Sequence, residues 1–558
     1  MLLMTGRWRT MSLSVCLLTC YALLLTYDLD RVPLINPDEA GYAEPAWTFI
    51  TRGEFGAPMY AGMFGMDHRL YIICPGRGIM TILPYMIFGP TLTAARLVSV
   101  AMAMLLALLS GIVLRRVLER PLAGLDWLAM VALMTSPVVV NAGRFARPEI
   151  DVAAWTIAMV ACLQTLERVE ASRLRRAWAM GAGVCAGLAF LMHQYGLVSL
   201  GAGLLIVGAP WRSHFGRRMR DVGWMFAGLV TATCPWAMFI LSDIPEFRLQ
   251  FGAQVAFQAW RYPAISLMRT LINEIPGRYL LDRQDYPVDW DAWADALRLL
   301  VPTFSMSETW WPLRLAVRIA RRPSELGPVM LDRLWWMGIS LAVIGLSAVA
   351  MLRSRRMLLS GVLLIPALAW ALALALVPNK WLGYSASFMV FSGLSGYLLL
   401  GRFVGPVPFR RTGFAFLLTM TILLNASALS NIWLHAPTTR KPIVDALHDA
   451  IPPGKRILVP AREWHSFVGR NPAIGLDGRS LQEYQTTLLK SVVEFHAEYV
   501  VLVRNLNTLE NRYYWVAEHG VEWADFLHDR TGLMRVIDGG QDEVIEVRKV
   551  VGDLSGAY

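Results

Sequence analysis

Two carboxylates, Asp38 and Glu39, stand side by side in Asn36-Pro37-Asp38-Glu39-Ala40-Gly41-Tyr42, shortly after the first apolar stretch, 11–27. A carboxylate can take up a proton or hold an acceptor hydroxyl. On composition alone the pair could equally be a solvated loop. A second charged group lies in Gly143-Arg144-Phe145-Ala146-Arg147-Pro148-Glu149-Ile150-Asp151, at the end of an apolar run. Charge at a membrane boundary is expensive, so such residues are functional or paired with one another. Arg144 and Arg147 can pair with Glu149 and Asp151 or bind a ligand. Further cations are Arg69, Arg77 and Lys380. A cation can hold a phosphate, and arginine does so through two parallel hydrogen bonds. Carboxylates and cations gathered at a lipid boundary suit chemistry on a phosphorylated lipid.

The elements that must bring these groups together are membrane helices. The chain has 558 residues, of which 55% are hydrophobic and only 17% charged. Its mean hydropathy is +0.44. A soluble protein carries about 25% charged residues. Apolar runs of membrane-spanning length occur at 11–27, 94–114, 122–142, 152–167, 177–193, 195–210, 222–241, 334–352, 358–377, 384–401 and 413–432. The expectation is a mainly α, polytopic transmembrane bundle of about 11 to 13 spans, with the first span a retained anchor.

Arginine sets the orientation. The N-terminus and the segments 115–120, 167–176, 212–221, 353–356 and 402–411 hold 19 arginines against four acids. By the positive-inside rule these are cytoplasmic. Asp38, the 242–333 loop and the C-terminus then lie outside. Residues 71–88 are apolar, but a crossing there would turn every later basic segment to the wrong side. They are expected to form a helix at the outer interface, since Cys74-Pro75-Gly76 would break a straight span.

Four parts follow: an outer loop at 28–93, a helical block at 94–241, a second outer loop at 242–333, and a soluble segment at 433–558. The second loop carries Trp260, Tyr262, Tyr279, Tyr286, Trp290, Trp293, Trp310 and Trp311. These can anchor it at headgroup depth or stack on sugar rings. In the last segment 457–459, 499–503 and 544–547 read as strands and 481–497 as helical. This predicts a small α/β accessory domain after a transmembrane domain at 1–432. The net charge of +10 is mostly topological arginine and does not point to nucleic acid. The six cysteines form no CxxC or Cys/His cluster, and no motif asks for a metal or cofactor.

The order of these motifs resembles the GT-C membrane glycosyltransferases. Within them it is most similar to the bacterial lipid A aminoarabinose transferase and protein O-mannosyltransferase-like group. The resemblance covers roughly the first 240 residues. It comprises the anchor helix, Pro-Asp-Glu-x-x-Tyr ending at Tyr42, an interfacial segment closing on Phe88-Gly89, Ala95-Arg96-Leu97, and the segment 143–155. Weaker matches lie at Gly187-Leu188-Ala189-Phe190-Leu191 and Lys380-Trp381-Leu382-Gly383-Tyr384. The resemblance implies transfer of a sugar from a polyprenyl-phosphate carrier to an envelope glycolipid or protein. It implies the periplasmic face of a bacterial inner membrane and inversion at the anomeric carbon. Asp38 would be the lead catalytic carboxylate, Glu39 its motif neighbour, and Glu149 the second acid. The family's carrier-binding lysine falls on Ile73, with Arg69 and Arg77 one helical turn to either side. His193-Gln194 stands where many relatives have Lys-Gly, so His193 is either a phosphate contact or a polar helix end. Lys380 either binds phosphate or snorkels to the interface.

Two other classes compete. A transporter or lipid flippase needs charged or broken helices near mid-membrane, whereas this chain gathers its charge outside the spans. A non-catalytic scaffold would not need Asp38 and Glu149.

Overall fold

The computed structural model describes residues 2–33, 35–117, 125–208, 215–261, 365–367, 369, 370, 385–404, 408–434, 440–475, 488–505, 520–540 and 543–551. Lys380, span 334–352, most of span 358–377 and the loop aromatics from Tyr262 onward lie outside them.

The first part of the chain is helical: α1 (Leu2–Thr26), α2 (Asp38–Arg52), α3 (Gly76–Phe88), α4 (Leu92–Val117), α5 (Leu125–Met134), α6 (Pro137–Ala142), α7 (Glu149–Arg168), α8 (Ser172–Met192), α9 (Leu197–Gly208), α10 (Phe215–Leu241) and α11 (Ile244–Arg261). Later come α12 (Ser385–Val404) and α13 (Pro408–Leu434). Among the described residues, four helical stretches are long and apolar enough to cross a membrane: Leu92–Arg116, Glu149–Arg168, Gly216–Leu241 and Arg411–Leu434. The apolar run 122–142 is divided into α5 and α6. Thr135 and Ser136 interrupt it, and Pro137, which has no N–H to donate, opens the second piece as a first-turn residue.

Helix α3 covers only 76–88 of the 71–88 stretch expected at the interface; Arg69 and Ile73 precede it in irregular chain and so share no helical face with Arg77. The 13 residues of α3 reach about 20 Å, short of the roughly 30 Å hydrocarbon core. Arg77, Gly78, Thr81 and Tyr85 are buried, while Ile79, Leu83, Met86 and Ile87 are exposed. That two-faced pattern suits a helix lying flat, with its apolar side toward lipid.

Helices α4, α7, α8 and α10 form the compact centre. Ala153, Ile157, Val160, Ala182 and Ala186 are fully buried there. Gly183 and Gly187, four apart on α8, face Met225 and Ala232 of α10 so closely that a Cβ at either would collide. Small residues at this spacing let two helix backbones approach, which replaces the hydrophobic drive that lipid does not supply.

The C-terminal segment holds a five-stranded mixed sheet in the order β2-β1-β3-β5-β4. The strands are β1 (Ile457–Val459), β2 (Ala473–Gly475), β3 (Tyr499–Asn505), β4 (Thr531–Gly540) and β5 (Glu543–Val550). β1 runs parallel to β2 and β3, while β5 is antiparallel to β3 and β4. Alternation along the strands sends their side chains to two cores. Val500 and Leu502 join Val492, Phe526 and Leu527. Tyr499, Val501 and Val503 face the other way and join Met59, Met63, Met66 and Leu70 of the first outer loop. One face of this sheet is therefore seated on the 53–75 segment, next to α2.

Candidate functional site at the outer end of α2 and α7

Asp38 and Glu39 open α2, where the helix dipole favours negative charge. The Asn36 Oδ1 accepts the Asp38 backbone N–H at 2.9 Å, a local turn that fixes the entry to the helix. The two neighbours then part. Asp38 is exposed, with 59% of its side chain accessible. Glu39 has none accessible.

Glu39 is filled with donors. Arg96 of α4 gives two parallel hydrogen bonds, Nε to Oε1 at 2.9 Å and Nη2 to Oε2 at 2.8 Å. The backbone N–H of Ala146 reaches Oε1 at 2.6 Å and that of Asn36 reaches Oε2 at 2.9 Å. Burial opposes ionisation, but the Arg96 charge and these hydrogen bonds prevail and hold the Glu39 carboxyl below its usual range. Arg96 also donates to the carbonyls of Leu29 and Pro33 at 2.8 and 3.0 Å. Glu39 and Arg96 thus join four stretches of chain at one point. In the sequence Arg96 appeared only as a motif residue; an arginine in the first turns of an apolar span was the available signal.

The loop between α6 and α7 is buried throughout, and its two arginines do different work. Arg144 donates to the carbonyls of Leu24, Leu25, Tyr27, Asp28 and Val32 at 2.6–3.1 Å. These lie at or just beyond the end of α1, where carbonyls have no helical partner. Arg147 turns to the carboxylates. Its Nε and Nη2 lie 3.1 and 3.0 Å from Glu149 Oε1. Its Nη1 meets Asn36 Oδ1 at 3.2 Å and also pairs with Asp38 Oδ2. The Tyr42 ring lies 5.8 Å from the guanidinium carbon. Glu149 itself is buried, and its Oε2 has no hydrogen-bond partner.

The remaining candidates divide. Asp151 pairs with Arg77 of α3, Nη1 lying 3.3 and 3.0 Å from its two oxygens. Arg77 Nη2 donates to the Ala95 carbonyl at 2.6 Å. Both side chains are fully enclosed, so this pair fastens α3 to α7 and α4. Arg69 donates to Ser242 Oγ at 2.9 Å and Tyr71 Oη at 3.3 Å, and lies over the Phe239 ring. It therefore sits by the C-terminal end of α10, with other partners than Arg77. His193 follows the last residue of α8, half-buried, with Nδ1 accepting the Tyr195 N–H at 3.2 Å.

Asp38, Arg147, Glu149, Asn36 and Tyr42 are thus brought together at the N-terminal ends of α2 and α7. A contact with no sequence signal braces the same helix. The buried Glu44, further along α2, accepts the Met59 N–H at 3.0 Å and the indole N–H of Trp464, from the sheet-bearing segment, at 2.9 Å.

The fold of this chain is similar to that of solved structures of ArnT and of an archaeal oligosaccharyltransferase. The structure of ArnT from Cupriavidus metallidurans bound to undecaprenyl phosphate matches this chain with a TM-score of 0.54, covering 96% of this chain and 97% of that one at 15% identity. The apo oligosaccharyltransferase from Archaeoglobus fulgidus matches at 0.53, covering 87% and 69% at 12% identity. AglB from the same organism, in complex with an inhibitory peptide and a dolichol-phosphate, matches at 0.52, covering 88% and 70% at 13% identity. At such identities the likeness is one of fold. No family model matches the sequence, and no curated protein does so.

Proposed function

We propose that this protein is an inverting glycosyltransferase that moves a sugar from a polyprenyl-phosphate carrier to an envelope acceptor. The acceptor would be lipid A, lipopolysaccharide, another glycolipid or a protein. The reaction would take place at the outer face of a bacterial inner membrane, in a multi-pass protein of 11 to 13 spans with a cytoplasmic N-terminus and a periplasmic 433–558 domain. The observation that carries this is the exposed Asp38 carboxylate beside the enclosed Arg147–Glu149 pair, set at the outer helix ends of a GT-C fold. The relatives in fold include structures holding undecaprenyl phosphate and dolichol-phosphate.

In this reading an acceptor hydroxyl gives its proton to Asp38 as its oxygen bonds to the anomeric carbon. The bond from that carbon to the phosphate oxygen breaks, and its electron pair leaves on the phosphate. Attack opposite the leaving group inverts the centre. A phosphate ester leaves as a weak base, so no strong general acid is needed. Arg147 is placed to balance phosphate charge and Glu149 to keep Arg147 aligned. Arg77, Arg144 and Asp151 support the scaffold of this site.

The test uses purified protein in nanodiscs, a panel of polyprenyl-phosphate sugars and extracted envelope glycolipids, with Asp38→Asn as the control. Transfer by the wild type and its loss in the folded variant are expected. Carriers that bind without transfer or hydrolysis across the panel would favour a flippase or scaffold.

A further inference from the structure

Arg147 and Asp38 form an unequal pair. The Arg147 side chain is 4% exposed and that of Asp38 is 59% exposed. The inner edge of the guanidinium, Nε and Nη2, is held by Glu149 Oε1. The outer nitrogen, Nη1, is shared by Asn36 Oδ1 and Asp38 Oδ2. Glu149 and Asn36 are themselves buried, so Asp38 is the one of these three partners of Arg147 that faces water. Two consequences follow from this one contact. While Arg147 holds Oδ2, that oxygen is not open to a hydroxyl proton. While Asp38 covers Nη1, an anion cannot use it.

We propose that the phosphate of the lipid-linked donor takes the place of Asp38 on Arg147, so that donor binding itself frees the carboxylate for the acceptor. This rests on the function proposed above. A phosphate oxygen accepts a guanidinium N–H at least as well as a carboxylate oxygen does, so it can replace Asp38 Oδ2 on Nη1. Glu149 keeps Arg147 in place during the exchange, so the guanidinium trades one anion for another without moving far. The arrangement gives an order of events: the donor enters, Asp38 is released, and only then is an acceptor deprotonated. An empty site keeps Oδ2 of its base engaged.

The exchange is read by binding, with no turnover required. Undecaprenyl phosphate is titrated into the wild type, Asp38→Asn, Arg147→Gln and the double variant, each in nanodiscs. If Asp38 competes with phosphate for Arg147, Asp38→Asn binds about two- to fivefold more tightly than the wild type, the yield of an exposed ion pair. Arg147→Gln binds more weakly, and adding Asp38→Asn to it gives little further gain. A gain of equal size in both backgrounds would mean that Asp38 merely repels the phosphate, and would overturn the exchange; so would no gain in either. A wild type that does not bind the lipid overturns the carrier reading itself, and the exchange with it. Should Arg147→Gln misfold because Glu149 is stranded, the same four proteins are made with Glu149→Gln added throughout, which removes the stranded charge.

Discussion

Arg96 grips Glu39 through two parallel hydrogen bonds, 2.9 and 2.8 Å long, at a point where neither side chain is accessible. One residue before it, Asp38 stands in the open. The helix start thus separates an enclosed carboxylate that holds the fold from an exposed one that pairs with Arg147.

Breaking that grip from one side leaves a buried charge unpaired. Glu39→Gln or Arg96→Met is expected to cost about 3–5 kcal/mol. Folded yield and thermal unfolding in detergent should both drop sharply. The pair of changes together, Glu39→Gln with Arg96→Met, should recover part of the loss because no charge is left stranded.

Glu149 should behave differently. Glu149→Gln keeps shape and removes the charge that aligns Arg147. In the proposed enzyme, turnover is expected to fall by roughly 10²-fold, the cost of a displaced positioning group. A fall in yield with normal turnover per folded molecule would assign Glu149 to structure alone.

Trp464 tests how far the sheet-bearing segment braces α2. Trp464→Phe keeps an aromatic ring but removes the indole N–H donated to Glu44, so a loss of about 1–3 kcal/mol is expected. Limited proteolysis should then release the C-terminal segment at lower temperature than in the wild type. Unchanged protease resistance would count against Glu44 as the fastening point.

Acid should loosen the same junction. Both ring nitrogens of His465 are buried without hydrogen-bond partners, and burial pushes its pKa down to about 3. A histidine so depressed binds its proton more readily when unfolded, at about pH 6.5. Its contribution to stability is therefore full above pH 6.5 or so and is lost as pH falls toward 3. Glu39, also depressed, adds a loss at lower pH, below the ordinary glutamate value. Unfolding temperatures measured from pH 8 to 4 should fall on the acid side, and His465→Phe should flatten the limb below about pH 6.5. A wild-type profile flat to pH 4 would count against a neutral buried His465.

The residue types and their order were legible in the chain. Asp38-Glu39 after the anchor, the charged stretch at 143–151 and the apolar runs between them pointed to an outer-face site on a helical membrane bundle. Strand-forming runs at 457–459, 499–503 and 544–547 are strands in the structure. These features are local: hydrophobic run length, β-branched composition and charge at helix ends are written in neighbouring residues. Pairing is not. Glu149 and Asp151 lie two apart on a helix of 3.6 residues per turn, so they face nearly opposite ways. One meets Arg147, and the other meets Arg77, distant in sequence. Arg144, three residues from Arg147, is drawn instead to the open carbonyls at the end of α1. Glu44 and Trp464 meet only because one face of a late sheet settles on an early loop. Which carboxylate is enclosed and which stays exposed depends on what packs against α2, and that is decided by chain segments brought together from far apart.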